Sequence, residues 1–115
     1  MAPNAMPARL TRRAEFVLAA REGRKAASSH LVLQALRQPG EATRLGFTAT
    51  KKIGNAVARN RAKRRLRAAA RIVLGAAGAP GHDLVLIARN ETGRCPFPAL
   101  LSELEAALRR TGARA

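Results

Sequence analysis

Residues 51–71, KKIGNAVARNRAKRRLRAAAR, hold nine Lys and Arg and no Asp or Glu, and the acid-free zone extends from Glu41 to Asp83. A chain built around such a block must pack it through its uncharged positions and leave the charges free to meet a polyanion. Gly54-Asn55 breaks the preceding run, and Asn55 is a good N-cap for a helix beginning at the next residue. Ala58, Ala62, Leu66, Ala69 and Val73 then recur at steps of four, four, three and four, the apolar stripe of an amphipathic helix. Asn60, Lys63, Arg64, Arg67 and Arg71 fall on the opposite face. The expectation is a helix that packs through small residues and presents a row of guanidinium groups.

A merely solvated helix face interleaves Glu with Lys or Arg at i,i+4. Here like charges crowd one another at i,i+3 and i,i+4, at about a few tenths of a kcal/mol per pair, a repulsion that a partner would relieve. Arg outnumbers Lys eighteen to four. Its planar fork holds phosphate oxygens in pairs and stacks on bases, which suits RNA. A net charge of +15 over 115 residues points the same way, since release of counterions from phosphates is the main return on such charge. No apolar run approaches the roughly eighteen residues of a membrane span, and Met1–Arg13 lacks the apolar centre of a signal peptide. A single cysteine, Cys95, excludes an internal disulfide and a cysteine zinc cluster. A cytoplasmic, single-domain protein is expected.

Residues 1–9 read as a disordered tail, 10–110 as the one domain, and 111–115 as a C-terminal tail. Leu10–Arg21 predicts a helix with Thr11 as its cap. His30–Leu36 and Thr43–Thr50 predict two strands, and the Pro39-Gly40 turn between them suggests an antiparallel hairpin. In the second strand Leu45, Phe47 and Ala49 share a core face, while Arg44, Gly46, Thr48 and Thr50 share an open one. Asp83–Arg89 is apolar on both faces, as a central strand would be. Pro96-Phe97-Pro98 starts a last helix with Leu100, Leu101, Leu104 and Leu108 at helical spacing. The order α-β-β-α-β-α makes an α/β (α+β) two-layer sandwich, helices against a small mixed sheet.

Nothing in the chain assembles a nuclease. Two-metal hydrolysis needs converging carboxylates, and the seven here stand apart at 15, 22, 41, 83, 91, 103 and 105. His82-Asp83 reads as a loop-to-strand cap, His30 as a strand-edge residue and Cys95 as a small apolar filler.

The ordered run Lys51-Lys52-Ile53-Gly54-Asn55-Ala56-Val57, then Arg59-Asn60-Arg61 and Lys63-Arg64, resembles the signature of the protein subunit of bacterial ribonuclease P. The likeness extends from Leu10 to about Arg110 in that family's order of elements. It implies a left-handed βαβ crossover of the ribosomal protein S5 domain 2-like kind, against the general right-handed rule. It also implies a partner, a catalytic RNA that carries Mg²⁺-dependent endonucleolytic removal of the 5′ leader of precursor tRNA. The Mg²⁺ would be bound mainly by that RNA and the substrate, with no metal site in the protein alone, no membrane and no DNA.

On this resemblance the RNA-binding residues are Lys51, Lys52, Asn55, Arg59, Asn60, Arg61, Lys63, Arg64, Arg67 and Arg71. Phe16, Gln34, Thr48 and Thr50 would line a leader-binding groove between helix and open sheet face. Ala20 and Gln34 stand where relatives often carry aromatic residues, so leader binding is expected to lean on charge more than on stacking. A structural RNA-binding protein such as a ribosomal protein would share the charge but not the ordered motif. A helix-turn-helix DNA module would need a second helix three or four residues from the basic one.

Overall fold

The computed structural model of the chain describes residues 8–75 and 77–114. Their elements are β1 (Ala8–Arg9), α1 (Arg13–Glu22), β2 (Arg24–Ala27), β3 (Leu31–Arg37), β4 (Thr43–Thr48), a 3₁₀ turn (Lys51–Ile53), α2 (Ala56–Leu74), β5 (His82–Ala88) and α3 (Phe97–Arg110). The expected order holds, with two short edge strands added. Strands flank α2 on both sides in sequence, which rules out a helix-turn-helix.

The sheet runs β1-β4-β5-β3-β2. The fifth strand pairs in parallel with β4 and antiparallel with β3, so it is central, as its two apolar faces require. That placement overturns the expected hairpin. Gly40 does turn the chain, with a φ of 89°, but the strands it joins are held apart by β5. The hairpin in the fold is β2 with β3, closed through residues 28–30. Of the tail expected at 1–9, Ala8 and Arg9 instead pair in parallel with β4, and 1–7 lie outside the described residues. Leu10 extends this pairing through its amide, 2.8 Å from the Leu45 carbonyl oxygen, and α1 therefore begins only at Arg13. Its N-terminus is closed not by the Thr11 hydroxyl but by the Glu15 carboxylate, which accepts from the Arg12 and Thr11 amides at 2.9 and 3.2 Å.

The two layers of the sandwich are the sheet and the α2/α3 pair. Leu31, Leu33, Leu45, Phe47, Leu84 and Leu86 form the sheet side of this core, and Ala62, Leu66, Ala69, Leu100, Leu104 and Leu108 the helix side. The buried edge of α2 keeps Ala62, Leu66 and Ala69 but rotates at its end to Ala70 and Leu74, leaving Val73 half-buried. The opposite sheet face carries α1, where Phe16 and Ala19 meet Leu10, Leu36, Val85 and Ile87 in a second, smaller core. The C-terminal residues are not a free tail. Thr111 and Ala113 are buried, and the Arg114 guanidinium donates to the Val73 and Leu74 carbonyls at 2.5 and 3.1 Å, capping the end of α2.

Candidate nucleic-acid interface

Asn55 starts the basic helix as its sequence predicts, its side-chain oxygen accepting from the Ala58 amide at 2.9 Å. Because Ala62, Leu66 and Ala69 turn inward, the charged positions are left outward. Lys51, Lys52, Asn55, Asn60, Arg61, Arg64 and Arg71 are exposed, and Arg59, Lys63 and Arg67 are half-buried. Thus the ten residues expected to meet RNA share one helix and the turn leading into it. Their charge is uncompensated: among the described residues five of the seven carboxylates pair with arginines elsewhere and Glu103 pairs with His30, and no ion pair includes a residue of 51–71.

These cations are not equivalent. The side chains of Arg64, Lys63 and Arg71 make no hydrogen bond among the described residues, whereas Arg59 donates to the Gly54 carbonyl at 2.9 Å and the Arg61 Nε to the Gly93 carbonyl at 2.8 Å. Arg67 folds over Phe47, its Cζ 5.5 Å from the ring centroid, with Arg9 5.7 Å from the same centroid. Among the described residues its Nε is buried without a hydrogen-bond partner. Burial first, then the charges of Arg9 and Arg71, lower its pKa from the ordinary arginine value. Phe47 is therefore a core residue with two guanidinium groups at its rim, in keeping with the alternation of Leu45, Phe47 and Ala49.

Sequence reasoning missed Arg65. It sits in the same run but folds back, donating to the Thr92 and Cys95 carbonyls at 2.7 and 2.5 Å and lying 5.8 Å from the Phe97 ring centroid. The only signal available was its place one residue from Leu66 on the flank of the stripe, four after Arg61.

Three of the four expected leader residues lie on the other side of the sheet from α2. Gln34 and Thr48, both half-buried, project from the face that α1 partly covers, in adjacent rows across β5. Phe16 packs against Gly46, where an added Cβ would be 2.6 Å from its Cε1, so it holds α1 onto the sheet and shows only part of its ring. Thr50 is apart from these three. Past the end of β4, it shares a hollow of about 360 Å³ with Lys52, Ser29 and Arg89. A groove between α2 and the open face is not what the fold builds, since α2 occupies the opposite face. The open face is bounded by α1 instead.

Below α1 runs an ionic chain. The Arg44 guanidinium donates from Nε and Nη2 to both oxygens of Asp83 at 2.7 Å and from Nη1 to Glu15 at 2.8 Å. Hydrogen bonding to the Asp83 carboxylate leads the effects that raise the Arg44 pKa. His30 is likewise occupied, its Nδ1 2.5 Å from Glu103, and His82 Nδ1 lies 3.0 Å from the Pro80 carbonyl. His82 lines a hollow of about 340 Å³ with Glu22, Arg24 and Arg37. Among the described residues no three His, Cys, Asp or Glu could hold a metal, and no helix is long and apolar enough to cross a membrane.

Comparison with known proteins agrees with this geometry. The family model described as Ribonuclease P matches residues 5–112. The ribonuclease P protein component of Ruegeria pomeroyi is 54% identical over 104 residues, covering 88% of this chain and 83% of the relative. That of Gluconacetobacter diazotrophicus is 51% identical over 107 residues, covering 92% of each. Among solved structures, the RNase P protein of Staphylococcus aureus superposes with a TM-score of 0.76 at 25% identity, over 91% of this chain and 95% of that one. The Thermotoga maritima protein gives 0.74 at 27%, over 93% and 97%. With the motif, the fold and the matched span in accord, the chain belongs to the ribonuclease P family.

Proposed function

We propose that the chain is the protein subunit of a ribonuclease P ribonucleoprotein and assists removal of the 5′ leader from precursor tRNA by holding two RNAs, one on each side of its sheet. The catalytic RNA meets α2 and the turn before it, through Lys51, Lys52, Arg59, Arg61, Lys63, Arg64 and their neighbours. The leader crosses the face of Gln34 and Thr48 beside α1. One observation carries the reading: the cationic row on α2 has no internal counter-charge, while nearly every carboxylate in the chain is paired elsewhere. Such a row is completed only by an external polyanion.

Hydrolysis belongs to the RNA in this reading. Among the described residues no group of three His, Cys, Asp or Glu could hold a metal, and we assign the Mg²⁺ to the catalytic RNA and the substrate. The protein's contribution is electrostatic, since positive charge beside packed phosphates offsets repulsion that Mg²⁺ would otherwise screen. The test is a Mg²⁺ titration of precursor cleavage by the cognate RNA with and without the protein. The midpoint falls on adding protein, and the protein alone leaves precursor intact. An unchanged midpoint, or cleavage by RNA-free protein, refutes the proposal.

A further inference from the structure

We propose that the hollow between α2 and the start of α3 seats one unpaired nucleobase of the catalytic RNA, an inference that rests on the RNA-subunit reading above. The hollow measures about 300 Å³ and is lined by Arg61, Arg64, Arg65, Ala68 and Phe97. A phenyl ring and a methyl group thus share it with three guanidinium groups, and no carboxylate lines it. Two of the three are held in place before any partner arrives. Arg65 is tied to the Thr92 and Cys95 carbonyls while it lies against Phe97, and Arg61 is tied to the Gly93 carbonyl through Nε. The loop that holds them is itself pinned, since the buried Thr92 hydroxyl donates to the His30 carbonyl and accepts from the Arg89 amide.

Aromatic rings and immobilised guanidinium planes are the two side-chain surfaces on which unstacked bases settle. Because Arg65 is already ordered, a base that stacks there does not bear the cost of ordering it. Arg64 is exposed and its guanidinium makes no hydrogen bond among the described residues, which leaves it for the flanking phosphate. An apolar protein segment would instead desolvate three cations without return. A second copy of this +15 chain would add repulsion. A duplex presents its phosphates outward and its bases stacked away, so the occupant is a single unpaired nucleotide.

The experiment is nucleotide-resolution chemical probing of the cognate catalytic RNA, with base- and 2′-hydroxyl-directed reagents, bound to wild type, Phe97→Leu and Ala68→Gln. The first variant removes the ring but keeps apolar bulk under α3. The second fills the hollow from α2 with a good helix former. One or two nucleotides protected by wild type become reactive with both variants, the rest of the footprint persists, and affinity falls about five- to twentyfold. That is the lower part of the range for losing one stacked base. Should melting show that Phe97→Leu does not fold, Ala68→Gln decides alone. An unchanged footprint with affinity within twofold overturns the seat while leaving the RNA-subunit reading intact. A wild-type protein that protects no nucleotide overturns both. RNA-free self-association abolished by Ala68→Gln would make the occupant a second copy and likewise overturn the proposal.

Discussion

Arg67→Met is expected to stabilise the RNA-free protein, although it removes a residue assigned to RNA binding. In the wild type the Arg67 Nε is buried without a partner among the described residues, and a buried unsatisfied donor costs about 1–3 kcal/mol. Arg67 is only half-buried, so the low end, about 1 kcal/mol, applies. Burial first, and then like-charge repulsion from Arg9 and Arg71, lower the pKa of Arg67. Against this stands the guanidinium–Phe47 contact at 5.5 Å, worth about 0.5–1 kcal/mol at a partly exposed site. Methionine keeps the apolar stem, matches arginine in helix propensity, and offers sulfur to the same ring for about 0.3–1.5 kcal/mol. The ring contact thus changes little, and relief of the orphaned donor remains as a gain of about 1 kcal/mol. For a domain of this size that raises Tm by about 4 °C. Differential scanning calorimetry in low-salt chloride reads the shift directly. In sulfate, where bound anions already relieve the repulsion, the gain shrinks. A Tm lowered by 2 °C or more would refute the reasoning, because the cation–ring contact would then outweigh desolvation and repulsion together. With catalytic RNA the same variant weakens binding and lowers the salt slope by about 0.7–0.9 if Arg67 meets a phosphate.

Gly46→Ala drives a methyl into the Phe16 ring; overpacking of about 1–3 kcal/mol outweighs the roughly 0.5–1 kcal/mol gained from glycine entropy, so Tm falls by a few degrees. The displaced ring changes discrimination between precursor and mature tRNA while affinity for the catalytic RNA stays within twofold, which paired binding measurements check. Asp83→Asn removes the charge facing Arg44 and lowers stability by about 2 kcal/mol in urea unfolding, less than for a fully buried pair because Arg44 remains partly exposed. For Glu103, burial works to raise the pKa, and the hydrogen bonds from the His30 side chain, the Ser28 hydroxyl and the His30 amide, with the His30 charge, outweigh it to leave a net lowering from 4.5. A depressed carboxyl contributes stability that is complete above 4.5 and is lost as pH falls through the folded value. Glu103→Gln therefore costs about 1 kcal/mol at pH 7, and this difference from wild type vanishes on acidification below pH 4.5; a difference constant with pH would show that charge is not its source.

Elements whose logic is local could be read from the sequence. The Asn55 cap, the inward Ala62, Leu66 and Ala69, the leucines of α3 and the centrality of β5 all follow from spacing within one segment. Pairing between segments could not. Pro39-Gly40 makes a genuine turn, and turn chemistry alone joins β3 to β4; only the need of a doubly apolar β5 for neighbours on both sides forces it between them. β2 escaped notice because Arg24-Lys25-Ala26-Ala27 buries Ala26 alone, as an edge strand does. The basic site was legible as a helix face but not as individual roles. Within a run of arginines nothing local separates Arg64, which stays outside, from Arg65, which is captured by carbonyls some thirty residues later.

The central position of β5 has a kinetic corollary. β1 with β4, and β2 with β3, form two halves of the sheet that share no strand pairing until His82–Ala88 is laid between them. During synthesis every earlier strand leaves the ribosome before the one that unites them, and α2 emerges with its charged row and no completed sheet to pack against. The slow event in folding is thus a long-range insertion rather than a local turn. A nascent chain halted before residue 82 exposes two unsatisfied strand edges at once, the condition under which half-made domains aggregate.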